Sequence, residues 1–192
     1  EAVSPKVDRI ILISSTGVFG DAGGAWVNEE SPCEPTREAT QLLLDAERLL
    51  AGHRLGPRGI ILRMAGLYGP GRLPRIADVR SGEPLAVASE EYVNVIHVDD
   101  AAAVIEAADA RAKPPRTYVV SDGQPVLRRE YLRYLADRFG MPSPGFVAPA
   151  ESHRHRPGGS KRIDNSRMLA ELKVRLAYPS YREGLAAVAS RG

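Results

Sequence analysis

Three hydroxyl side chains in a row, Ser14, Ser15 and Thr16, stand directly behind the apolar run Ile10-Ile11-Leu12-Ile13. A short β-branched run of this kind reads as a buried strand of a parallel sheet. Such a strand delivers whatever follows it to the carboxyl edge of the sheet, where open α/β folds bind their ligands. A hydroxyl both donates and accepts a hydrogen bond, so it serves an alcohol and a ketone alike. The same residues could instead satisfy backbone groups where the strand ends.

Other groupings carry less. His97 precedes Asp99 and Asp100, which have the residue types of a metal site or proton relay. At a strand-to-helix junction, however, aspartates cap free N–H groups and oppose the positive end of the dipole, and the histidine is structural. His153 and His155 alternate along the basic stretch His153-Arg154-His155-Arg156, where no Cys or carboxylate at ligand spacing supports a metal. No metal is expected. Cys33 is alone, so the chain has no disulfide framework, and no neighbour activates its thiol. Gly17, Gly20 and Gly23 have a dinucleotide-binding spacing, but residues 24–32 lack the helical periodicity that a phosphate cradle needs. That segment reads as a loop.

The elements that must position these residues alternate. A strand at 9–14 leads through a polar loop to Pro35, and Thr36 caps a helix ending near Gly52, with Ala39, Leu42, Leu43, Ala46, Leu49 and Leu50 on its apolar face. A strand at 59–64 completes a βαβ unit. The irregular loop AGLYGPG follows, then a short helix over 73–81, an edge strand at 84–88 and a strand at 92–98. A helix opens at Asp99; a strand at 117–120, a helix at 127–139, an aperiodic stretch at 141–160 and helices at 166–173 and 181–189 complete the chain. This alternation says α/β with a mostly parallel sheet.

The 192 residues, 43% hydrophobic and 26% charged, suit one soluble unit. Net charge is +2, Lys occurs only at 6, 113, 161 and 173, and Arg is scattered, so no nucleic-acid or membrane partner is expected. No apolar run approaches the roughly 20 residues of a membrane span. No signal peptide is read either, and a cytoplasmic location is expected. The opening residues EAVSPKVDR read as the tail of a helix, so the domain is expected to begin upstream.

ISSTGVFG, LRMAGLYGPG and VIHVDDAA, in that order, together resemble the NAD-dependent epimerase/dehydratase family, the extended short-chain dehydrogenases/reductases. The likeness continues through YVVSDGQPVLRREYL to SYREGL, nearly the whole chain, and leaves out the family's glycine-rich first strand–helix turn. It implies the C-terminal part of a Rossmann-like doubly wound α/β sheet, with a small mixed substrate lobe. Residues 1–72 and 92–125 would form the nucleotide-binding sheet portion, and 73–91 and 126–192 the lobe and closing helices. It further implies NAD or NADP as cofactor and a nucleotide-sugar or similar polar alcohol or ketone as substrate. A homodimer would pair through the helix at 36–51.

By the same resemblance Ser15 polarises the reacting oxygen, with Thr16 beside the substrate, while Ser14, Ser15, Gly66, Leu67 and Tyr68 line the cofactor. The family's Tyr-x-x-x-Lys pair, whose spacing puts a phenol and an ammonium on one helix face, would fall on Ala39 and Leu43, and that pattern occurs nowhere in the chain. Tyr68 is then the candidate acid, or else a ring packed under the loop with its hydroxyl bonded to backbone, and Arg72 is the candidate for a substrate phosphate, or else a solvated surface arginine. A non-catalytic dinucleotide-binding sensor or scaffold remains the alternative.

Overall fold

The computed structural model describes residues 7–148 and 159–190. The runs at 10–15 and 59–64 are too short for helices and rich in Ile and Leu, and they pair as the parallel strands β1 (Ile10–Ser15) and β3 (Gly59–Met64). Between them lie a 3-10 turn (Thr16–Phe19), β2 (Trp26–Val27) and α1 (Glu38–Gly52). The chain continues through β4 (Gly66–Tyr68), α2 (Ile76–Arg80), β5 (Leu85–Ala86), β6 (Tyr92–Val93), β7 (Val95–His97) and α3 (Val98–Arg111). Next come β8 (Arg116–Val120), β9 (Val126–Leu127), α4 (Arg128–Arg138), β10 (Phe146–Val147), β11 (Arg162–Ile163), α5 (Ser166–Leu172) and α6 (Tyr181–Ala189).

The main sheet has the order β1-β3-β8, all parallel. Ser15 sits opposite Met64, and Met64 opposite Val120, so the three strands end together at one carboxyl edge. Period-two alternation sends Ile60, Leu62, Met64, Tyr118 and Val120 to one face, where Ala101, Val104, Ala108, Met168 and Leu172 of α3 and α5 cover them. Val119 goes to the other face, with Val18, Phe19, Val27, Leu44 and Ile163. A further cluster joins α2, α4 and α6 around Tyr68, Val95, Leu132, Leu135 and Leu185. Burying each such aliphatic side chain is worth roughly 1.5–3 kcal/mol.

Several sequence expectations shift. β1 is not fully buried: among the described residues it pairs only with β3, Ile10–Leu12 are half-buried and Ile13 is 45% exposed. The strand expected at 92–98 divides at Asn94: β6 pairs antiparallel with β9, β7 parallel with β4, and Asn94 turns between them. The loop after β3 therefore contains a strand. The helix expected at 73–81 contracts to α2. Thr36 does not cap α1; the N-cap is Arg37, with no side-chain bond.

Between sheet and α1 lies a buried ion pair. Arg63, in the middle strand, points Nη2 at Glu47 Oε2 (2.7 Å), and its Nε donates to both carboxylate oxygens at 3.2 Å. The Ser14 hydroxyl donates to Glu47 Oε1 at 2.5 Å, and the guanidinium lies 5.0 Å from the centre of the Phe19 ring. Glu47→Ala should cost about 3–5 kcal/mol by stranding a buried guanidinium, and Glu47→Gln less. Urea midpoints measure this; a loss under about 1 kcal/mol for the alanine variant contradicts it.

Two more buried carboxylates hold the chain returning from α5 to α6. Asp100 does not cap its own helix; its oxygens accept the N–H groups of Ala177 (2.7 Å) and Tyr178 (2.9 Å), and His97 Nδ1 caps α3 by accepting from Asp99 N–H. Asp122 accepts from the Gln124 N–H at 2.9 Å and from the Tyr181 N–H, while its Oδ2 has no hydrogen-bond partner. Burial pushes the Asp122 carboxyl up to about 7, against the pull of those N–H groups. The unfolded carboxyl ionises near 3.9. Folding thus favours the protonated acid, and this group's contribution to stability falls as pH rises from about 4 to about 7, by up to ~4 kcal/mol. Asp122→Asn keeps an acceptor and removes the charge. Its stability relative to the parent should rise by about 2–4 kcal/mol between pH 4.5 and pH 8 in denaturant titrations; a pH-independent difference contradicts the assignment.

Candidate functional site

At the carboxyl edge, the ends of β1 and β3 open into a cleft of about 450 Å³. Its apolar part comes from Ile13, Met64, Ala65 and Leu67, and its polar part from Ser15, Thr16, Tyr92 and four cations: Arg37, Arg72, Arg128 and Lys161. Among the described residues no Asp or Glu lines it.

Ser15 caps the 3-10 turn, its Oγ accepting the Gly17 N–H at 3.0 Å. The backbone-capping reading of this residue is thus seen directly, and the residue also lines the cleft. The oxygen serves the backbone, and the hydroxyl proton is left to donate into the cleft. Ser14 and Thr16 also border the cleft and are buried, but the Ser14 hydroxyl is committed to Glu47. Gly66 and Leu67 face the cleft from β4. Arg72 reaches it from the turn closed by paired Gly69 and Arg72 backbone bonds, with Nε donating to Leu67 O at 3.1 Å.

Tyr68 does not reach the cleft. Its neighbours in β4 do, but the strand's alternation turns Tyr68 into the α2–α4–α6 cluster, where it is fully buried. Its ring stands edge-on to His97, its hydroxyl donates to Ser180 O at 3.4 Å, and Gly184 of α6 lies so close that any Cβ there would collide with that hydroxyl. Burial also pushes the phenol well above its ordinary range. The expectation that it supplies a proton is corrected: this is a packing tyrosine.

Lys161 is the residue that sequence reasoning missed. It is 4% exposed, and its Nζ donates to Gly20 O at 2.7 Å, at the end of the turn that Ser15 begins. Gly20 has φ 65°, and a side chain there would strike Glu34 O, so the carbonyl's direction is fixed by glycine. Burial draws the Lys161 ammonium below the ordinary lysine range and Arg37 adds to this, while Asp21 and Glu91 oppose it. The carrying segment is anchored on three sides. Arg162 N–H donates to Ala25 O, Asn94 Nδ2 donates to Lys161 O (2.9 Å), and Ile163 N–H donates to Asn94 Oδ1 (2.9 Å). The one sequence signal was a lysine in a chain that otherwise uses arginine.

The remaining candidates fall away from the cleft. His97 is a buried helix cap, and Cys33 is a half-buried thiol that burial pushes up. His153 and His155 lie outside the described residues. Among the described residues no group of three or more His, Cys, Asp or Glu is placed to hold a metal, and no helix is long and apolar enough to cross a membrane. Gly17–Gly23 leads into β2, not a helix, so it forms no helix-opening phosphate cradle.

No protein-family model matches the chain. Protein YeeZ of Escherichia coli K12 is 32% identical over 179 residues, 93% of this chain and 61% of YeeZ. A conserved protein of unknown function from Silicibacter pomeroyi DSS superimposes with a TM-score of 0.84 at 34% identity, covering 94% of this chain and 66% of that one. A Methylobacillus flagellatus protein, provisionally classed as an NAD-dependent epimerase/dehydratase, gives 0.78 at 34% identity, covering 96% and 64%. The chain thus spans about two thirds or less of these relatives. A Streptomyces 3-diazoavenalumate denitrifying reductase is 26% identical over 92% of this chain and 64% of its own length. The fold alone is shared with a Bacillus cereus UDP-glucuronic acid 4-epimerase in complex with NAD (TM-score 0.75, 20% identity, covering 97% and 61%). It is likewise shared with RMD of Pseudomonas aeruginosa complexed with NADPH (0.73, 20%, covering 94% and 65%). The motif order, the parallel sheet and these similarities agree: the chain has the Rossmann-like α/β fold of the NAD-dependent epimerase/dehydratases and is similar in sequence to a protein of that class.

Proposed function

We propose that this chain carries the substrate side of an atypical NAD- or NADP-dependent oxidoreductase, acting on a polar alcohol or ketone of the nucleotide-sugar kind or a similar anionic compound. The observation that carries this reading is the Ser15 hydroxyl. Its oxygen is held by the Gly17 N–H at the carboxyl edge of the sheet, in a cleft that Ile13, Met64, Ala65 and Lys161 also line. Similarity to chains whose structures hold NAD or NADPH supports the cofactor. When bound, the nicotinamide supplies hydride exchange.

The chain's own residues do the rest. Ser15 donates a hydrogen bond to the reacting oxygen and holds its carbon over Ile13, Met64 and Ala65. Lys161 is the proton source in place of the absent Tyr-x-x-x-Lys pair: it lines the same cleft, and burial makes its ammonium a readier donor. One proton passes to the oxygen as hydride reaches the carbon, which balances ketone to alcohol. Arg37 and Arg72 hold an anionic group of the substrate. Pairing of two copies through α1, whose Leu42 and Leu49 are exposed, belongs to the same proposal.

A sensor or scaffold is the rival, favoured by Ala39 and Leu43 on α1 and by the buried Tyr68. Calorimetric titration of NAD, NADH, NADP and NADPH into the full-length protein comes first; micromolar binding of one pair is expected, and none from any of the four removes the dinucleotide reading. Given turnover, Ser15→Ala should lower kcat about 10²–10³-fold with cofactor affinity retained. Lys161→Met should remove the limb of the pH profile that falls below the ordinary lysine range. Tyr68→Phe and Tyr92→Phe should leave kcat within about threefold, the first because its hydroxyl is buried, the second because Lys161 fills the role. Turnover indifferent to Ser15 and Lys161 sinks the mechanism.

A further inference from the structure

A second cavity of about 200 Å³ adjoins the cleft and shares Gly66, Val93, Asn94 and Arg128 with it. Pro74, Val95, Tyr131 and Leu132 form its far walls, with Arg75 beside them. Gly66 stands at the junction with no side chain, and a Cβ there would already lie 3.1 Å from Asn94 O.

Apart from the Tyr131 hydroxyl, which is buried without a hydrogen-bond partner, the polar groups around this annex are engaged elsewhere. Both ends of the Asn94 amide are bonded to the 161–163 segment. The Arg128 guanidinium donates to Ala88 O (3.1 Å) and Glu91 Oε2 (2.8 Å), and Arg75 donates to Asp78 (3.1 Å). What the annex offers a ligand is aliphatic and aromatic surface. A hexose carries a hydroxyl on nearly every carbon, and burying them against Pro74, Val95 and Leu132 without partners costs on the order of 1–3 kcal/mol each. A cavity of about 150 Å³ lined by such side chains takes up benzene, so this volume accommodates a single ring.

From the apolar annex and the carboxylate-free cationic cleft together, we propose that the substrate is an organic acid with a compact apolar body, one ring or a branched chain. The apolar body occupies the annex, the acid group meets Arg37 and Arg72, and the reacting oxygen lies between them at Ser15. This rests on the reading of the cleft as the substrate site, but not on the redox chemistry. Because Gly66 replaces any side chain at the junction, it acts as the specificity-determining position between cleft and annex.

The test uses 3-phenylpropionate as probe, with glucuronate (acid without apolar body) and 3-phenylpropan-1-ol (ring without acid) as controls, each titrated into the full-length protein. Binding of 3-phenylpropionate at least about tenfold tighter than either control is expected. In the wild-type complex, ring protons should give intermolecular NOEs to the methyls of Val95 and Leu132. Gly66→Val and Leu132→Trp should each weaken 3-phenylpropionate about tenfold or more. Glucuronate binding as tightly, or ring NOEs absent from those methyls while the probe is bound, overturns the annex assignment. The dinucleotide titrations separate the two proposals. Probe binding in a protein that takes no dinucleotide keeps the annex and removes the oxidoreductase, and the reverse result removes only the annex.

Discussion

The contact between Arg63 and Glu47 is the one on which the site's geometry rests. A guanidinium in the middle strand of a parallel sheet is tolerable only if something opposite neutralises it, and α1 supplies that group from its third turn. The constraint works in both directions. It fixes the rotation of α1 against the sheet, and through the third partner, Ser14, it fixes the pleat of β1. Because side chains alternate along a strand, anchoring Ser14 below the sheet edge turns Ser15 out of it. The Ser15 hydroxyl is thereby positioned by a salt bridge that lies below the sheet edge.

The second requirement is positive charge at the cleft, and here the fold takes a long route. In the family pattern that the sequence resembles, the cation would come from the helix after the first strand. In this chain α1 carries Leu43 and Ala39 at those positions, and Lys161 reaches the cleft from a segment about 120 residues further on. Its placement depends on β11 pairing with β2, on Asn94 clamping the backbone on either side, and on Arg162 lying between the rings of Trp26 and Tyr92. Each of these contacts bridges regions far apart in the chain, so the amine is only as well placed as the tertiary structure beneath it.

This explains what could be read from the sequence and what could not. β1, α1, β3, α3, β8, α4 and α6 were legible because their periodicities and end signals are local. The position of Ser15 at the carboxyl edge was legible because a strand end fixes it. Tyr68 was misjudged because its exposure depends on a two-fold alternation inside a three-residue strand that the glycines around it disguise as loop. Lys161 sits in a stretch without periodicity, and nothing local distinguishes it from a surface lysine. Asp100 looked like an N-cap by position, yet its carboxylate serves two N–H groups near residue 177. Only the folded chain brings those donors within reach, and a histidine already occupied the cap.

The half-covered state of β1 bears on how the polypeptide behaves by itself. Ile10 to Ile13 form a flat, uncharged, mostly β-branched run, with ladder hydrogen bonds made on one side only among the described residues. A bare row of N–H and C=O groups beside such a run is a template for any other extended strand. Proteins usually blunt such edges with charge or proline, and this segment contains neither. Unless another strand lies along it, β1 is the place where copies of this polypeptide would begin to assemble edge to edge, and solubility will depend on its being covered.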